Sequence, residues 1–252
     1  MTPLQLSKSL LAAAFTLSLA ISAVSFPSLA NNRNELRQGL PGRRISGGVR
    51  DSRANCFTSF DQSLVAIIPQ SNLGKTASPR PTFWFSVPET EGSKSGEFKL
   101  YDPFGELVYY TSVDMSDDYG LSEFQLPESA PALVLNEEYQ WVFTMACEGA
   151  SAHQLGLSGQ VLRVNLSDSA VKRINEASPE DRVSLYAAAG LWQEQVTELV
   201  ALRRSNINNM DFQLEWAALI QSTGLTSYVS SHISEAMSAA QLPASTAGTD
   251  SE

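Results

Sequence analysis

Histidine and cysteine are nearly missing from this chain, with two of each in 252 residues. His153 and His232 stand far apart, and neither falls in a His-Glu-x-x-His or comparable ligand spacing, so a histidine-built metal centre is not expected. Gly156-Leu157-Ser158-Gly159 lacks the Gly-x-Ser-x-Gly order of a nucleophile elbow. A phosphate-cradling loop, a dinucleotide fingerprint and zinc-type cysteine pairs are missing too. Asp114, Asp117 and Asp118 lack the spaced ligands and glycine of a calcium loop. Beyond residue 53 basic residues are scarce, ten Lys and Arg against 25 Asp and Glu. A body that acidic repels nucleic acid. After residue 30 no apolar run approaches membrane-spanning length. These absences leave no catalytic constellation and no expected cofactor.

What is present begins with a leader pattern. Lys8 is the only charge in the first thirty residues, Leu10 to Phe26 is almost wholly apolar or small, and Ser28-Leu29-Ala30 offers the small residues that a signal peptidase reads. The pattern predicts a Sec-type signal peptide over 1–30, cut after Ala30, and a periplasmic or extracellular product. The alternative is an uncleaved anchor, since Leu10–Phe26 sits at the lower edge of spanning length.

Residues 31–55 read as a basic Gly/Arg-rich arm. Six arginines over 33–53 stand against Glu35 and Asp51. Its Gly and Pro content predicts an irregular, mobile segment. Backbone amides beside Gly47-Gly48, with Arg43, Arg44 and Arg50, are candidate contacts for an anion or a partner. The competing reading lays the arm on the acidic body. Cys56 and Cys147 both follow the leader. In an oxidising compartment they are expected to pair, stabilising by about 3–5 kcal/mol in the chain-entropy model. Two buried, unpaired thiols are the alternative.

From Ser63 the sequence breaks into short alternating stretches divided by turns. Strands are expected at Ser63–Ile68, 82–87, Gly96–Tyr101, Glu106–Val113, Leu121–Leu126, Glu138–Cys147 and Gly159–Leu166. The run Pro81-Thr82-Phe83-Trp84-Phe85-Ser86-Val87-Pro88 is the natural centre of a core, because its aromatics alternate and prolines close both ends. Asp102-Pro103-Phe104-Gly105 has the residues of a type I turn and predicts a hairpin. After Leu166 the period turns helical. Ser178-Pro179 opens a helix to Ala189, and Leu191–Arg204, Asp211–Thr223 and a weaker Ser227–Ala240 follow. The fold class expected is α+β: an antiparallel β-sandwich of about seven strands over 56–167, followed by a small C-terminal helical layer. That layer, 168–239, is expected to pack on the sandwich because its apolar stripes exceed what short helices hide from each other. Residues 240–252 read as a disordered tail.

Several of these stretches together resemble one family. Leu40-Pro41-Gly42-Arg43-Arg44 with Gly47-Gly48 and Arg50, the Pro81–Pro88 strand, and Tyr139-x-Trp141 leading to Cys147 are similar to the cyanobacterial domain-of-unknown-function family 928. Leu185-Tyr186 with Gly190-Leu191-Trp192, then Trp216-x-x-Leu219 with Gly224-Leu225, continue the match over roughly residues 40–226. Gln193-Glu194 departs from the Tyr-Asp pair associated with the family at that point. The resemblance implies an exported cyanobacterial protein, and it transfers no catalytic residue.

The function expected is therefore a non-enzymatic protein-binding or adaptor module of the cell envelope. The alternative is a glycan- or envelope-polymer-binding protein that uses Tyr109-Tyr110 and Tyr119 as stacking platforms. A hydrolase built on two carboxylates is a third reading. The expected partner is an envelope protein or polysaccharide, with no nucleic acid and no transmembrane segment after the leader is removed. Edman sequencing of exported material should begin at Asn31. Denatured protein should show two more titratable thiols with reductant than without it, and equal titres would refute the Cys56–Cys147 bridge.

Overall fold

The computed structural model describes residues 42–46, 63–87, 89, 94–115, 120–147 and 155–229. Eight strands come first among them: β1 Val65–Ala66, β2 Leu73–Thr76, β3 Thr82–Val87, β4 Lys94–Tyr101, β5 Leu107–Asp114, β6 Gly120–Gln125, β7 Glu138–Cys147 and β8 Leu155–Arg163. Four helices follow: α1 Asp168–Glu176, α2 Pro179–Ala189, α3 Trp192–Ser205 and α4 Met210–Thr223. The class is α+β, with the helices C-terminal to two sheets. One sheet has three strands in the order β1-β3-β6, and the other has five in the order β2-β8-β7-β4-β5.

Alternation along the chain sets what faces what. Phe83, Phe85 and Val87 of β3 join Phe98 and Leu100 of β4 and Trp141, Phe143 and Met145 of β7 in one apolar cluster. Phe85 stacks on Phe143 at 4.3 Å between ring centres and meets Trp141 edge-on at 5.9 Å. Trp84, on the opposite face of β3, belongs instead to a second cluster with Val196, Leu199, Val200, Trp216 and Ile220 of the helices. The preceding segment divides in the same way: Leu64, Ala66 and Ile68 enter the first cluster, and Val65 and Ile67 enter the second. The small sheet is thus buried on both faces, by the large sheet on one side and the helices on the other. Two indoles pin this arrangement. Trp84 Nε1 donates to Thr197 Oγ1 at 3.0 Å, and Trp192 Nε1 donates to the Ile67 carbonyl at 2.9 Å.

Three features differ from what the sequence suggests. The pairing is not wholly antiparallel, because β2 runs parallel to β8, with Leu73 opposite Gln160 and Thr76 opposite Arg163. The expected loop between Ile68 and Pro81 holds that strand, which is only four residues long and includes Gly74 and Lys75. Residues 42–46, within the segment read as an irregular arm that could lie on the acidic body, bond to both sheets through their backbone. The Arg43 carbonyl accepts from Ser158 N at 2.9 Å, the Arg44 carbonyl from Ala66 N at 2.8 Å, and Ser46 N donates to Leu64 O at 2.9 Å. In addition, α1 precedes the first helix expected, its first turn capped by Ser167, whose side chain accepts from Ala170 N. The hairpin at Asp102 forms as its turn chemistry demands: Asp102 Oδ1 accepts from Phe104 N and Glu106 N, and Gly105 takes φ +86°.

The core tolerates little added volume at one crossing. A Cβ on Gly159 of β8 would lie 2.5 Å from Trp141 Cζ2 and 2.8 Å from Ile68 Cδ1. Gly159→Ala should lower unfolding stability by about 1–3 kcal/mol, the range of overpacked cores. Urea denaturation followed by tryptophan fluorescence measures the loss, and an unchanged midpoint would show that Trp141 has room to move.

Candidate functional site

Helix α3 starts without a conventional cap. Its N-cap is Leu191, which has no side-chain capping bond. Glu194 sits at N3, where a glutamate ordinarily folds back on its own helix end. Here it reaches across to the turn after β2. Glu194 Oε1 accepts from Thr76 Oγ1 at 2.7 Å, Ala77 N at 2.9 Å and Ser78 N at 3.1 Å. Two successive backbone N–H groups aimed at one carboxylate oxygen form a small anion nest, filled by the protein's own side chain. Glu194 Oε2 and Gln193 Nε2, both buried, have no partner among the described residues.

This contact forms the wall of a cleft of about 190 Å³, open to solvent, between residues 76–82 and helices α2 and α3. Arg80, Thr82, Tyr186, Gln193, Glu194 and Glu198 line it. Arg80 and Glu198 are held from behind. Arg80 donates to the carbonyls of Pro127, Glu128 and Ala130. Glu198 Oε1 accepts from Arg182 Nε at 3.1 Å and Nη2 at 2.7 Å. That bond raises the Arg182 pKa, while burial, reinforced by Glu198, pushes the Tyr186 hydroxyl above its ordinary value. The lining carries two carboxylates, Glu194 and Glu198, and one guanidinium, Arg80, and Arg182 outside it neutralises Glu198.

A second surface is the edge of the large sheet that no other strand covers among the described residues. β5 is its last strand. Its eight residues, Leu-Val-Tyr-Tyr-Thr-Ser-Val-Asp, include neither lysine nor proline. Phe104, Leu107 and Tyr110 are exposed beside it at 65%, 52% and 49%.

The residues singled out from sequence fall in different places. Arg44 Nη1 donates to the Thr223 carbonyl at 2.7 Å, at the negative end of α4, and Arg43 pairs through its backbone with Ser158 of β8. Neither approaches the cleft lining. Arg50, Cys56, Tyr119, His153, His232, Asp117 and Asp118 lie outside the described residues, as does the Cys147 side chain. Tyr109 and Tyr110 do not form one stacking platform. Tyr109 packs against the core, while Tyr110 faces out, donating its hydroxyl to Glu97 at 2.9 Å with Lys99 5.6 Å from its ring centre. Lys99, then Tyr110, hold the Glu97 carboxyl below its usual range. No three His, Cys, Asp or Glu side chains converge on a metal position among the described residues. Sequence reading missed the cleft, because the Glu194 bonds that form its wall join residues more than a hundred apart. The one signal available was a glutamate at N3 with leucine, not Ser or Thr, at the cap.

The geometry therefore defines a two-sheet α+β protein with a helical layer, bearing a small polar cleft and an open sheet edge. Domain of Unknown Function (DUF928) matches residues 45–233, and the chain belongs to that family. None of the curated proteins matches it. Among solved structures, the C-terminal domain of wzt is 16% identical, over 37% of this chain and 64% of that one, with a TM-score of 0.26. An FMN-binding beta-glucuronidase from Facaelibacterium prausnitzii L2-6 is 14% identical, over 48% of this chain and 15% of that one, with a TM-score of 0.25. The Parabacteroides merdae beta-glucuronidase is 8% identical, over 45% and 16%, also at 0.25. The chain spans less than two thirds of each of these structures.

Glu194→Ala removes the acceptor for three donors and should cost about 2–4 kcal/mol. Glu194→Gln retains an acceptor oxygen and should lose roughly 1–2 kcal/mol. Chemical denaturation of both variants checks the order, and equal losses would mean that the charge, not the bond count, holds the turn.

Proposed function

We propose that this chain is an exported, non-catalytic binding module of the cell envelope whose edge strand β5 takes an extended segment of a partner protein. On this reading the leader is removed, 31–55 is an arm, 56–167 is a β-sandwich, and 168–239 is a helical layer packed on it. The observation that carries the reading is the edge itself. Natural sheets protect their edges with lysine, proline, bulges or very short strands; β5 carries neither lysine nor proline over eight residues, and its one register shift, opposite Leu100 and Tyr101, is confined to the hairpin end. An added strand gains main-chain hydrogen bonds, and apolar groups beside the edge supply side-chain anchors. Phe104 and Leu107, exposed at the hairpin end, support that reading.

The glycan-binding reading loses its tyrosine pair, since Tyr109 packs inward and Tyr110 is engaged by Glu97. It shifts to the cleft, where free donors and acceptors occur together.

The edge reading is tested by Tyr110→Lys and Ser112→Lys, each placing an edge charge. With folding checked by thermal melting, both variants should retain about tenfold less of the partner that wild type crosslinks in native envelopes, while Glu128→Gln, away from the edge, should retain it. Full retention by both lysine variants rejects the edge as the docking surface.

A further inference from the structure

We infer that the cleft between the turn after β2 and helices α2 and α3 is a binding site for a single polyhydroxylated unit, such as one sugar ring. This does not rest on the edge reading, because cleft and edge share no residue. Gln193 is 2% exposed, yet its Nε2 donates to nothing. A buried amide N–H without an acceptor costs about 1–3 kcal/mol, so its persistence calls for a ligand or water. Beside it, Glu194 Oε2 accepts nothing, although the other oxygen of the same carboxylate takes three bonds. One buried donor and one buried acceptor on adjacent residues match a hydroxyl, which accepts and donates at once.

The rest of the lining narrows the class. An ammonium ligand would meet Glu194 Oε2 but leave the Gln193 amide hydrogens without an acceptor. A carboxylate or phosphate would face Glu194 and Glu198. Arg80 and Glu198 are already engaged, by the carbonyls of Pro127, Glu128 and Ala130 and by Arg182, so the unspent groups are Gln193 Nε2 and Glu194 Oε2, which a hydroxyl serves together. Thr82 and Gln125 extend the polar wall, and Tyr186 and Pro81 supply apolar faces for the carbon side of a ring. At about 190 Å³ the space is below the roughly 300–1,000 Å³ typical of drug-sized ligands, which fits one ring. The floor is also rigid. Gly74 of β2 brings the backbone against Gln193, with Nε2 3.2 Å from where a Cβ would stand, and Trp192 anchors the helix end on Ile67.

The test uses the full mature chain, labelled with ¹⁵N, titrated with methyl β-D-glucopyranoside, methyl β-D-galactopyranoside, myo-inositol and glycerol. Methylammonium and acetate serve as charged comparators. The expected result is a saturable shift of the Gln193 side-chain amide and of the Ala77 and Ser78 backbone amides with at least one glycoside or inositol, at millimolar Kd. Gln193→Leu should weaken that binding roughly threefold to tenfold, the value of one hydrogen bond, with the thermal midpoint retained. If this variant fails to fold, Thr82→Val, at the cleft wall, gives the same readout. No shift with any hydroxylated probe overturns the proposal and assigns the two buried groups to water. Saturation by methylammonium or acetate alone overturns the neutral class. Binding of cellohexaose but not of methyl glucoside overturns the one-ring limit.

Discussion

A strand of six residues buried on both faces is the constraint on which the architecture depends. β3 alternates Phe83, Phe85 and Val87 toward the large sheet with Trp84 toward the helices. A one-residue slip in its pairing with β1 or β6 would exchange these faces, placing an indole among packed phenyl rings and phenyl rings against helix α3. Register is therefore specified from both sides. The indole carries a further constraint, since its N–H finds Thr197 only from one face. Arg204 adds to the same junction, lying 5.2 Å from the Trp84 ring and 3.5 Å from Glu123 of β6. Charge pairs this exposed contribute little energy, so packing, and not the salt bridge, holds the layers.

The helical layer contains its own half-buried cation. Arg203 lies across the Trp216 ring at 4.8 Å, and both its Nε and Nη2 donate to Gln213 Oε1. Burial pushes its pKa down to about 10, far from neutral pH, so it stays charged there. An amide oxygen and an aromatic face take the place of a carboxylate partner. The same economy of charge marks the cleft, where Glu194 meets backbone amides and a hydroxyl and no cation.

What was legible in the sequence was what depends on local period. Alternating aromatics located β3, Asp102-Pro103-Phe104-Gly105 located the β4–β5 hairpin, and Ser178-Pro179 located the start of α2. The helix ends expected at Ala189 and Thr223 hold, each followed by a glycine, Gly190 and Gly224, at φ +68° and +70°. What escaped was fixed by distant partners. β2 has four residues and no period of its own, and it exists because β8 offers an edge. Residues 42–46 look like linker by composition, yet β1 and β8 hold their backbone. The cleft was invisible for the same reason: Thr76, Ala77 and Ser78 signify nothing until Glu194 arrives from a helix in the other half of the chain.

The parallel pairing of β2 with β8 also governs the order in which the protein can assemble. A parallel pair cannot close through a tight hairpin, and here almost the whole β region is interposed between its strands. β1 and β3 likewise gain their second buried face only from helices near the C-terminus. Contacts of such long sequence separation slow the search for the native state, since chain entropy is lost before the contacts return stability. A growing chain stopped short of β8 holds β2 with no strand beside it. The β2–β8 pair and the helix-facing side of the small sheet therefore close last, after most of the chain has been made.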